Sequence, residues 1–272
     1  MPFLEISGNH IYYETYGEGE PLVILNGIMM STVSWSGFIE SFSANHKLVL
    51  IDLLDQGRSD KAHGPYTQDM HVDMLKEIFE KLGFEKVLLL GVSYGGEVAM
   101  KFALKYQYML HTLLLANTTA CTNDLMHDIE ELWDYTAGLH DGRIYFKATM
   151  PYIYSTEFYV KNIDWLKNRE ALFCKSLTPE WYEGFRRANR SASKLNIVHE
   201  LHNIKVPTLI IGAEYDTITP VRYQEEIADL IENSKFVVIK GSGHASMYEK
   251  PYEFASIILG YLSVYNKPIV VL

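Results

Sequence analysis

The sequence predicts an α/β fold in which helices flank a mostly parallel sheet and one helical segment is inserted. Three observations support this prediction. Short apolar runs recur along the chain, segments with helical periodicity lie between them, and one long aromatic-rich stretch breaks the alternation. A chain of 272 residues is long enough for one large domain of this kind.

Eight segments have the composition of strands. The first two, at residues 4–7 and 11–14, flank Gly8-Asn9 and predict an antiparallel hairpin. The other six are apolar at consecutive positions, which is typical of parallel strands covered by helices on both faces. They lie at residues 22–25, 47–51, 87–90, 112–115, 208–211 and 236–239. Together the segments predict a mostly parallel eight-stranded sheet that binds its ligand beyond the carboxyl ends of the strands.

Several segments between these runs have the apolar periodicity of helices. Apolar residues spaced three or four apart predict helices at residues 72–82, 98–106, 223–231 and 254–261. Pro220 and Pro251 stand where the last two helices should begin. This position tolerates proline, because an N–H group there would have no acceptor within the helix. Gly83 is the expected stop of the first helix.

Residues 118–206 break this rhythm because they contain no convincing strand run. One helix face is predicted from apolar spacing, and residues 180–191 are also compatible with a helix. The residues of that face are Leu125, Ile129, Leu132, Trp133 and Thr136. Three of the four tryptophans fall in this stretch, so it needs apolar surfaces to bury. We therefore expect a core formed by residues 1–117 and 207–272, with a helical insert at residues 118–206.

Composition excludes several classes of protein. The 34 acidic residues outnumber the 24 basic ones, and the net charge of -10 argues against nucleic acid or an anionic membrane as a partner. Neither a long apolar run nor a secretory signal is evident, and Cys121 and Cys174 indicate reduced thiols in a cytoplasmic protein. No cofactor or metal is expected. The expected partner is a small-molecule substrate, and any protein partner is left open.

A candidate nucleophile lies directly after the strand run at residues 87–90. Gly91-Val92-Ser93-Tyr94-Gly95 has the G-x-S-x-G pattern and opens a helix. A sharp turn from strand to helix needs glycine on both sides of the serine, because a side chain there would collide with the neighbouring backbone. The turn would present the Ser93 hydroxyl at the sheet edge, next to a helix N-terminus that favours developing negative charge.

A serine hydroxyl needs a base and a carboxylate to act as a nucleophile. His244 is the expected base, because it lies in the glycine-rich loop Gly241-Ser242-Gly243 that follows a strand run. Asp216 is the expected carboxylate, because it follows the strand at residues 208–211 and its turn. Glu214 and Asp124 remain alternatives for this role.

The order of Ser93, Asp216 and His244 together with the glycine elbow resembles the α/β-hydrolase fold superfamily, and the similarity covers nearly the whole chain. The stretch at residues 52–60 resembles the D-x-x-G-x-G-x-S-D turn of that family. Gly243-His244, with the Glu249, Pro251 and Phe254 that follow, resembles its G-H-x-x-x-x-E-x-P-x-x-F ending. The insert at residues 118–206 corresponds to the helical cap of the family.

The resemblance also implies an oxyanion hole. Its donors would be the backbone N–H groups of Ile28 and Tyr94. Two positions depart from the family pattern: Asn26 replaces a common histidine, and Asp55 replaces a glycine in a turn where aspartate tolerates a left-handed backbone. Neither departure affects Ser93, Asp216 or His244.

The expected activity is hydrolysis of a carboxylic ester, lactone or thioester of a small apolar substrate through an acyl-enzyme. Met29, Trp133 and Met247 are candidates for the pocket wall, although each methionine is equally explained by packing. Arg186, Arg187 and Arg190 of the insert either bind an anionic group or form a solvated helix face.

Three other functions remain open. Carbon–carbon-bond hydrolases resemble the chain and use the same triad. A menaquinone-pathway synthase does too, but it would have arginine at the position of Glu97, which counts against it. A ligand-binding signalling protein on this fold would retain the triad with slow or single turnover.

Overall fold

The computed structural model describes residues 2–267, which contain one eight-stranded sheet in the order β1-β2-β4-β3-β5-β6-β7-β8. The strands are β1 (Phe3–Ile6), β2 (Asn9–Tyr16), β3 (Pro21–Leu25), β4 (Lys47–Ile51), β5 (Val87–Val92), β6 (Leu110–Ala116), β7 (Thr208–Ala213) and β8 (Ser234–Ile239). The outermost predicted core boundaries, at residues 1 and 272, lie outside the described residues.

The predicted mixture of strand directions is confirmed. β1 and β2 form an antiparallel hairpin, and β2 pairs antiparallel with β4. Every other neighbouring pair, from β4 through β3 to β8, is parallel. The chain adds β4 on one side of β3 and β5 on the other, and this reversal places a crevice at the carboxyl ends of β3 and β5, where ligands bind in open α/β sheets.

The central strands β3 to β7 are buried on both faces, which explains their continuous apolar runs. Successive residues of one strand pack into different clusters: Val23 and Leu25 belong to one, Leu22 and Ile24 to the other. Helices α2 (Gln68–Lys81), α3 (Tyr94–Tyr106) and α9 (Val221–Leu230) contribute to the first cluster. The second is covered by α1 (Ile39–Ser43) and α11 (Pro251–Val264), while α10 (Ser246–Glu249) follows the His244 loop.

Five helices lie between β6 and β7, in the region where no strand was predicted. They are α4 (Asp124–Gly138), α5 (Gly142–Ile153), α6 (Thr156–Lys161), α7 (Ile163–Ser176) and α8 (Pro179–Ala192). Aromatic side chains form the centre of this insert, where Tyr145 contacts Tyr182 and Phe185 edge to face. Within residues 2–267, no helix combines the length and the apolar character that crossing a membrane requires.

The apolar face predicted for the first helix of the insert is partly wrong. Ile129, Trp133 and Thr136 are buried in α4, whereas Leu125 is 56% and Leu132 39% exposed. The reason is that α4 packs against α5 and α8 through a face that also includes Met126 and Ala137, and the two leucines lie at the edge of that face. The predicted helix at residues 180–191 falls within α8.

One buried ion pair joins the insert to the sheet core. Arg187 of α8 donates two hydrogen bonds to the Asp55 carboxylate, at 2.6 and 3.0 Å. Asp55 has a φ of 73°, so the left-handed backbone expected at this position is present. The Asp55 side chain is almost fully buried, and the bidentate geometry compensates for the loss of its hydration.

We predict that Arg187→Met destabilises the protein by about 3 kcal/mol, because it leaves the Asp55 carboxylate buried without its cation. The double variant Asp55→Asn/Arg187→Met should regain most of this loss, since no charge then remains unpaired. Urea unfolding of the single and double variants measures both effects. A double variant as unstable as Arg187→Met would contradict the assigned role of the pair.

Candidate active site

Ser93 occupies a strained turn between β5 and α3. Its backbone angles are φ 52° and ψ −121°, a conformation that residues other than glycine rarely adopt. A Cβ atom on Gly91 would collide with the carbonyl oxygen of Gly95, and one on Gly95 would collide with that of Leu25. The two glycines predicted for the turn are therefore required by the close approach of three backbone segments.

The turn brings the Ser93 hydroxyl to the predicted histidine. The distance from Ser93 Oγ to His244 Nε2 is 2.9 Å, and the distance from His244 Nδ1 to Asp216 Oδ2 is 2.8 Å. The three side chains come from the ends of β5, β7 and β8, which meet at one edge of the parallel sheet. This is the arrangement in which an imidazole can accept the hydroxyl proton while a carboxylate fixes its orientation.

The Asp216 carboxylate is fully buried and has several hydrogen-bond donors. Its Oδ1 accepts from the backbone N–H groups of Ile218 and Thr219, both at 2.9 Å, and its Oδ2 accepts from Thr219 Oγ1 at 2.9 Å. Burial alone raises the pKa of Asp216, but the His244 charge and these hydrogen bonds outweigh it, so the pKa lies below its usual value. The carboxylate is therefore held in its ionised form.

Asn117 is a member of this network that the sequence analysis missed. Its Nδ2 donates to Asp216 Oδ2 at 3.1 Å, and its Oδ1 accepts from Ser246 Oγ at 2.7 Å. Asn117 directly follows β6 and has a φ of 47°, a left-handed backbone that asparagine tolerates. The sequence signal was a polar residue directly after an apolar strand run.

The two alternative carboxylates lie elsewhere. Glu214 accepts hydrogen bonds from the Gly241 N–H at 2.8 Å and from Lys240 Nζ at 3.2 Å, so it ties β7 to the start of the His244 loop. Asp124 is the first residue of α4 and is exposed. Of the three candidates, the structure brings only Asp216 to the histidine.

A second carboxylate joins the His244 loop to the insert. Glu249 Oε1 accepts from the N–H groups of Gly243, at 3.1 Å, and Ser155, at 2.9 Å. Its Oε2 accepts from Ser155 Oγ at 2.5 Å. Glu249 was noted in the sequence only as part of the ending that follows His244, and the structure gives it this connecting contact.

The predicted oxyanion donors lie beside Ser93. Ile28 lines both cavities that contain Ser93, and Tyr94 lines the smaller of the two. Among the described residues, no acceptor is recorded for either backbone N–H. Asn26, which precedes this loop, is buried: its Nδ2 donates to the Ile51 carbonyl and its Oδ1 accepts from Trp35 Nε1, both at 2.8 Å. Asn26 therefore fixes the start of this loop through its side chain. Its hydrogen bonds do not involve the backbone N–H groups of Ile28 and Tyr94.

An apolar cavity of about 110 Å³ opens on Ser93 and His244. The three predicted wall residues, Met29, Trp133 and Met247, all line it. Sequence analysis missed Arg169 and further wall residues from the insert and the His244 loop, namely Met150, Tyr154, Phe173 and Tyr248. Across residues 2–267, no group of three or more His, Cys, Asp or Glu side chains is arranged to hold a metal ion.

The three arginines expected either to bind an anion or to form a solvated helix face all pair with carboxylates of this chain, and Arg190, whose side chain is 58% exposed, also faces solvent. Arg187 pairs with Asp55, as described above. Arg186 and Arg190 both pair with Asp134 of α4, at 3.3 and 2.8 Å. These cations are neutralised within the protein and hold α8 against its neighbours.

A second, smaller cavity of about 50 Å³ is also lined by Ser93, and two carboxyl groups contribute to its wall. Glu97 is buried beside Gln68, whose Nε2 donates to it at 2.5 Å, and burial raises the pKa of Glu97 well above its usual value. Burial raises the pKa of Glu130 to about 7; its buried Oε2 accepts no hydrogen bond from the described residues, and His127 Nδ1 lies 3.6 Å from it. The smaller cavity is therefore lined by two carboxyl groups that favour their neutral form.

The chain is similar to known hydrolases. The model of the alpha/beta hydrolase fold family matches residues 20–146 and 154–251. The crystal structure of MGS-M2, an alpha/beta hydrolase enzyme from a Medee basin deep-sea metagenome library, is 38% identical with a TM-score of 0.96. That match covers 99% of this chain and 100% of MGS-M2.

Two curated relatives are more distant. The 2-hydroxy-6-oxo-6-(2'-aminophenyl)hexa-2,4-dienoic acid hydrolase of Metapseudomonas resinovorans is 22% identical over 96% of this chain and 90% of the relative. The 3-oxoadipate enol-lactonase 1 of Acinetobacter baylyi is 26% identical over 90% of each chain.

We predict that Glu130→Gln changes how stability depends on pH. A carboxyl group whose pKa is raised in the folded state favours folding when protonated, and this advantage is lost as the pH rises through its folded pKa of about 7. The wild type should therefore lose up to about 3 kcal/mol of stability between pH 5 and pH 8 through this group. The variant should lack that loss, as measured by unfolding at both pH values. Equal slopes for the two proteins would contradict the prediction.

Proposed function

The chain belongs to the alpha/beta hydrolase fold family, and on that basis we propose that it is a serine hydrolase. The proposed reaction is cleavage of a carboxylic ester, lactone or thioester of a small substrate. The observation that supports it most directly is the continuous hydrogen-bonded path from Ser93 through His244 to Asp216, with distances of 2.9 and 2.8 Å.

In the proposed first step, His244 Nε2 takes the proton of Ser93 as Oγ attacks the substrate carbonyl. The developing oxyanion accepts hydrogen bonds from the N–H groups of Ile28 and Tyr94, which have no other recorded acceptor. Each such donor is worth about 3 kcal/mol of transition-state stabilisation in enzymes of this type. The imidazolium that forms is stabilised by the ionised, buried Asp216.

In the second step, His244 returns its proton to the leaving group, and an acyl group remains on Ser93. Water then enters, His244 takes one of its protons, and the hydroxide attacks the acyl carbonyl. The tetrahedral intermediate that forms then collapses and releases the acid. His244 gives its proton to Ser93 Oγ, which restores the hydroxyl. No metal ion or cofactor takes part in either step.

The size of the cavity favours a small acyl group. At about 110 Å³, it is smaller than the cavities of roughly 150 Å³ that accommodate benzene. Its methionine and aromatic lining favours apolar carbon next to the carbonyl. The enol-lactonase among the relatives supports a substrate of this size, since its name describes the hydrolysis of a small cyclic ester.

A second candidate reaction is hydrolysis of a carbon–carbon bond. The relative from Metapseudomonas resinovorans favours it, because the oxo acid in its name has no ester linkage. The same triad would serve, and the two reactions are distinguished by their products. An ester gives an acid and an alcohol, whereas an oxo acid gives an acid and a carbon fragment with a new C–H bond. Incubation with one substrate of each kind, followed by mass spectrometry, decides between them.

We predict that Ser93→Ala lowers hydrolysis of p-nitrophenyl butyrate by about four to six orders of magnitude, because it removes the nucleophile. The matched control is Ser36→Ala, which removes an exposed serine hydroxyl and should keep full activity. Steady-state release of p-nitrophenol measures both. A fluorophosphonate should add covalently to Ser93 of the wild type and of Ser36→Ala, and should not label Ser93→Ala.

Turnover tests the remaining possibility of a signalling receptor. An enzyme releases many equivalents of p-nitrophenol per chain, whereas a receptor with a single-use triad stops after about one equivalent. Retention of activity in Ser93→Ala, or a burst of one equivalent without further turnover, would overturn the proposed function.

A further inference from the structure

Arg169 is a cation in the wall of the active-site cavity whose charge the proposed reaction does not use. It lies on α7 of the insert and lines the same cavity as Ser93 and His244. No other Lys or Arg is among the described residues that line this cavity. The rest of the wall is mainly methionine, aromatic and aliphatic, so the charge of Arg169 stands out within it.

No carboxylate of the described residues neutralises Arg169. Its Nε is buried with no recorded hydrogen-bond acceptor, and no ion pair to its guanidinium is recorded. The neighbouring carboxylate, Glu170, pairs instead with Arg143 and Lys147, at 3.3 and 2.7 Å. Arg169 therefore differs from Arg143, Arg186, Arg187 and Arg190, which all pair with acidic side chains.

Aromatic rings hold the Arg169 side chain in place without satisfying its donors. Its Cζ lies 4.8 Å from the centroid of the Trp165 ring and 5.4 Å from that of the Tyr248 ring. Cation–π contacts stabilise the charge and fix the position of the guanidinium, but they accept none of its five N–H bonds in the manner of an oxygen atom. The cation is thus oriented in advance and still able to bind an acceptor.

We infer that Arg169 binds a carboxylate group of the substrate. This inference rests on the proposed function and narrows its substrate class to short esters, lactones or oxo acids that carry a second, ionised carboxyl group. A carboxylate matches the fork of donors on a guanidinium, and a desolvated donor without a partner is costly, so an apolar substrate of equal size leaves Arg169 unsatisfied. The cavity volume limits the spacing between the two carbonyl carbons to a few methylene groups.

The test compares an anionic ester with a neutral ester of the same shape. Monoethyl succinate carries a carboxylate where ethyl 4-methylpentanoate carries an isopropyl group, and monoethyl malonate and monoethyl glutarate vary the spacing. Arg169→Met removes the guanidinium and keeps an unbranched apolar side chain, while Arg169→Lys keeps the charge and loses the fork. Arg143→Met is the matched control, because it removes a charge from the same insert outside the cavity. Thermal unfolding of each variant shows that it is folded.

For the wild type we expect kcat/KM on the best monoethyl dicarboxylate to exceed that on ethyl 4-methylpentanoate. Arg169→Met should lower the value for the anionic ester by about 10- to 100-fold and leave that for the neutral ester within about twofold. Arg169→Lys should fall between these values, and Arg143→Met should match the wild type. Equal losses on both esters in Arg169→Met, or no preference in the wild type, would overturn the inference.

Binding separates this inference from the proposed function. Ser93→Ala cannot complete the proposed reaction, so calorimetric titration with monoethyl succinate measures binding alone. Binding that disappears in Ser93→Ala/Arg169→Met supports the carboxylate site even if the wild type hydrolyses no ester, in which case the proposed function fails by itself. Hydrolysis of neutral esters, combined with unchanged binding of monoethyl succinate in the double variant, overturns the role of Arg169 and leaves the hydrolase intact.

Discussion

The close approach of three backbone segments around Ser93 is the constraint on which the site depends. Gly95 packs against the end of β3, and Gly91 packs against Gly95, so β5 can turn sharply into α3. The same contact brings the loop after β3, with Ile28, next to Ser93. One steric requirement therefore positions both the serine and the N–H groups beside it, and the strain at Ser93 is borne by strands that are buried on both faces.

The sheet and the residues at its carboxyl edge were predictable from the sequence, and the family resemblance is confirmed. Burial on both faces leaves continuous apolar runs in the central strands. These runs, with the one at residues 236–239, predicted the bounds of the parallel strands to within a few residues. Ser93, Asp216 and His244 each follow such a run directly or after a short turn, so parallel topology brings them to one edge. Local sequence and global fold agree here because the residues of the site are placed by the strands themselves.

The wall of the cavity was predictable only in part, because it depends on how the insert packs. Arg169 lies in no recognisable sequence motif. It stands out because it has no carboxylate partner among the described residues, and a sequence pattern does not reveal which side chains form ion pairs. Trp165, Arg169 and Phe173 do recur every four residues along α7, so a shared face was visible in retrospect. Leu125 and Leu132 were predicted to be buried and are exposed. Apolar spacing predicts which face of a helix is buried, but it does not predict how much of that face the neighbouring helices cover.

The contacts of Glu249 have a mechanical consequence. One carboxylate accepts from Gly243, the residue before His244, and from Ser155 of the insert. Any displacement of the insert at Ser155 must either stretch these hydrogen bonds or drag the histidine loop along. Tyr154, the residue before Ser155, lines the cavity, so the cavity wall and the alignment of the imidazole are coupled through a single side chain. Enlarging the cavity at this point and preserving the catalytic geometry are therefore opposing demands on the same three hydrogen bonds.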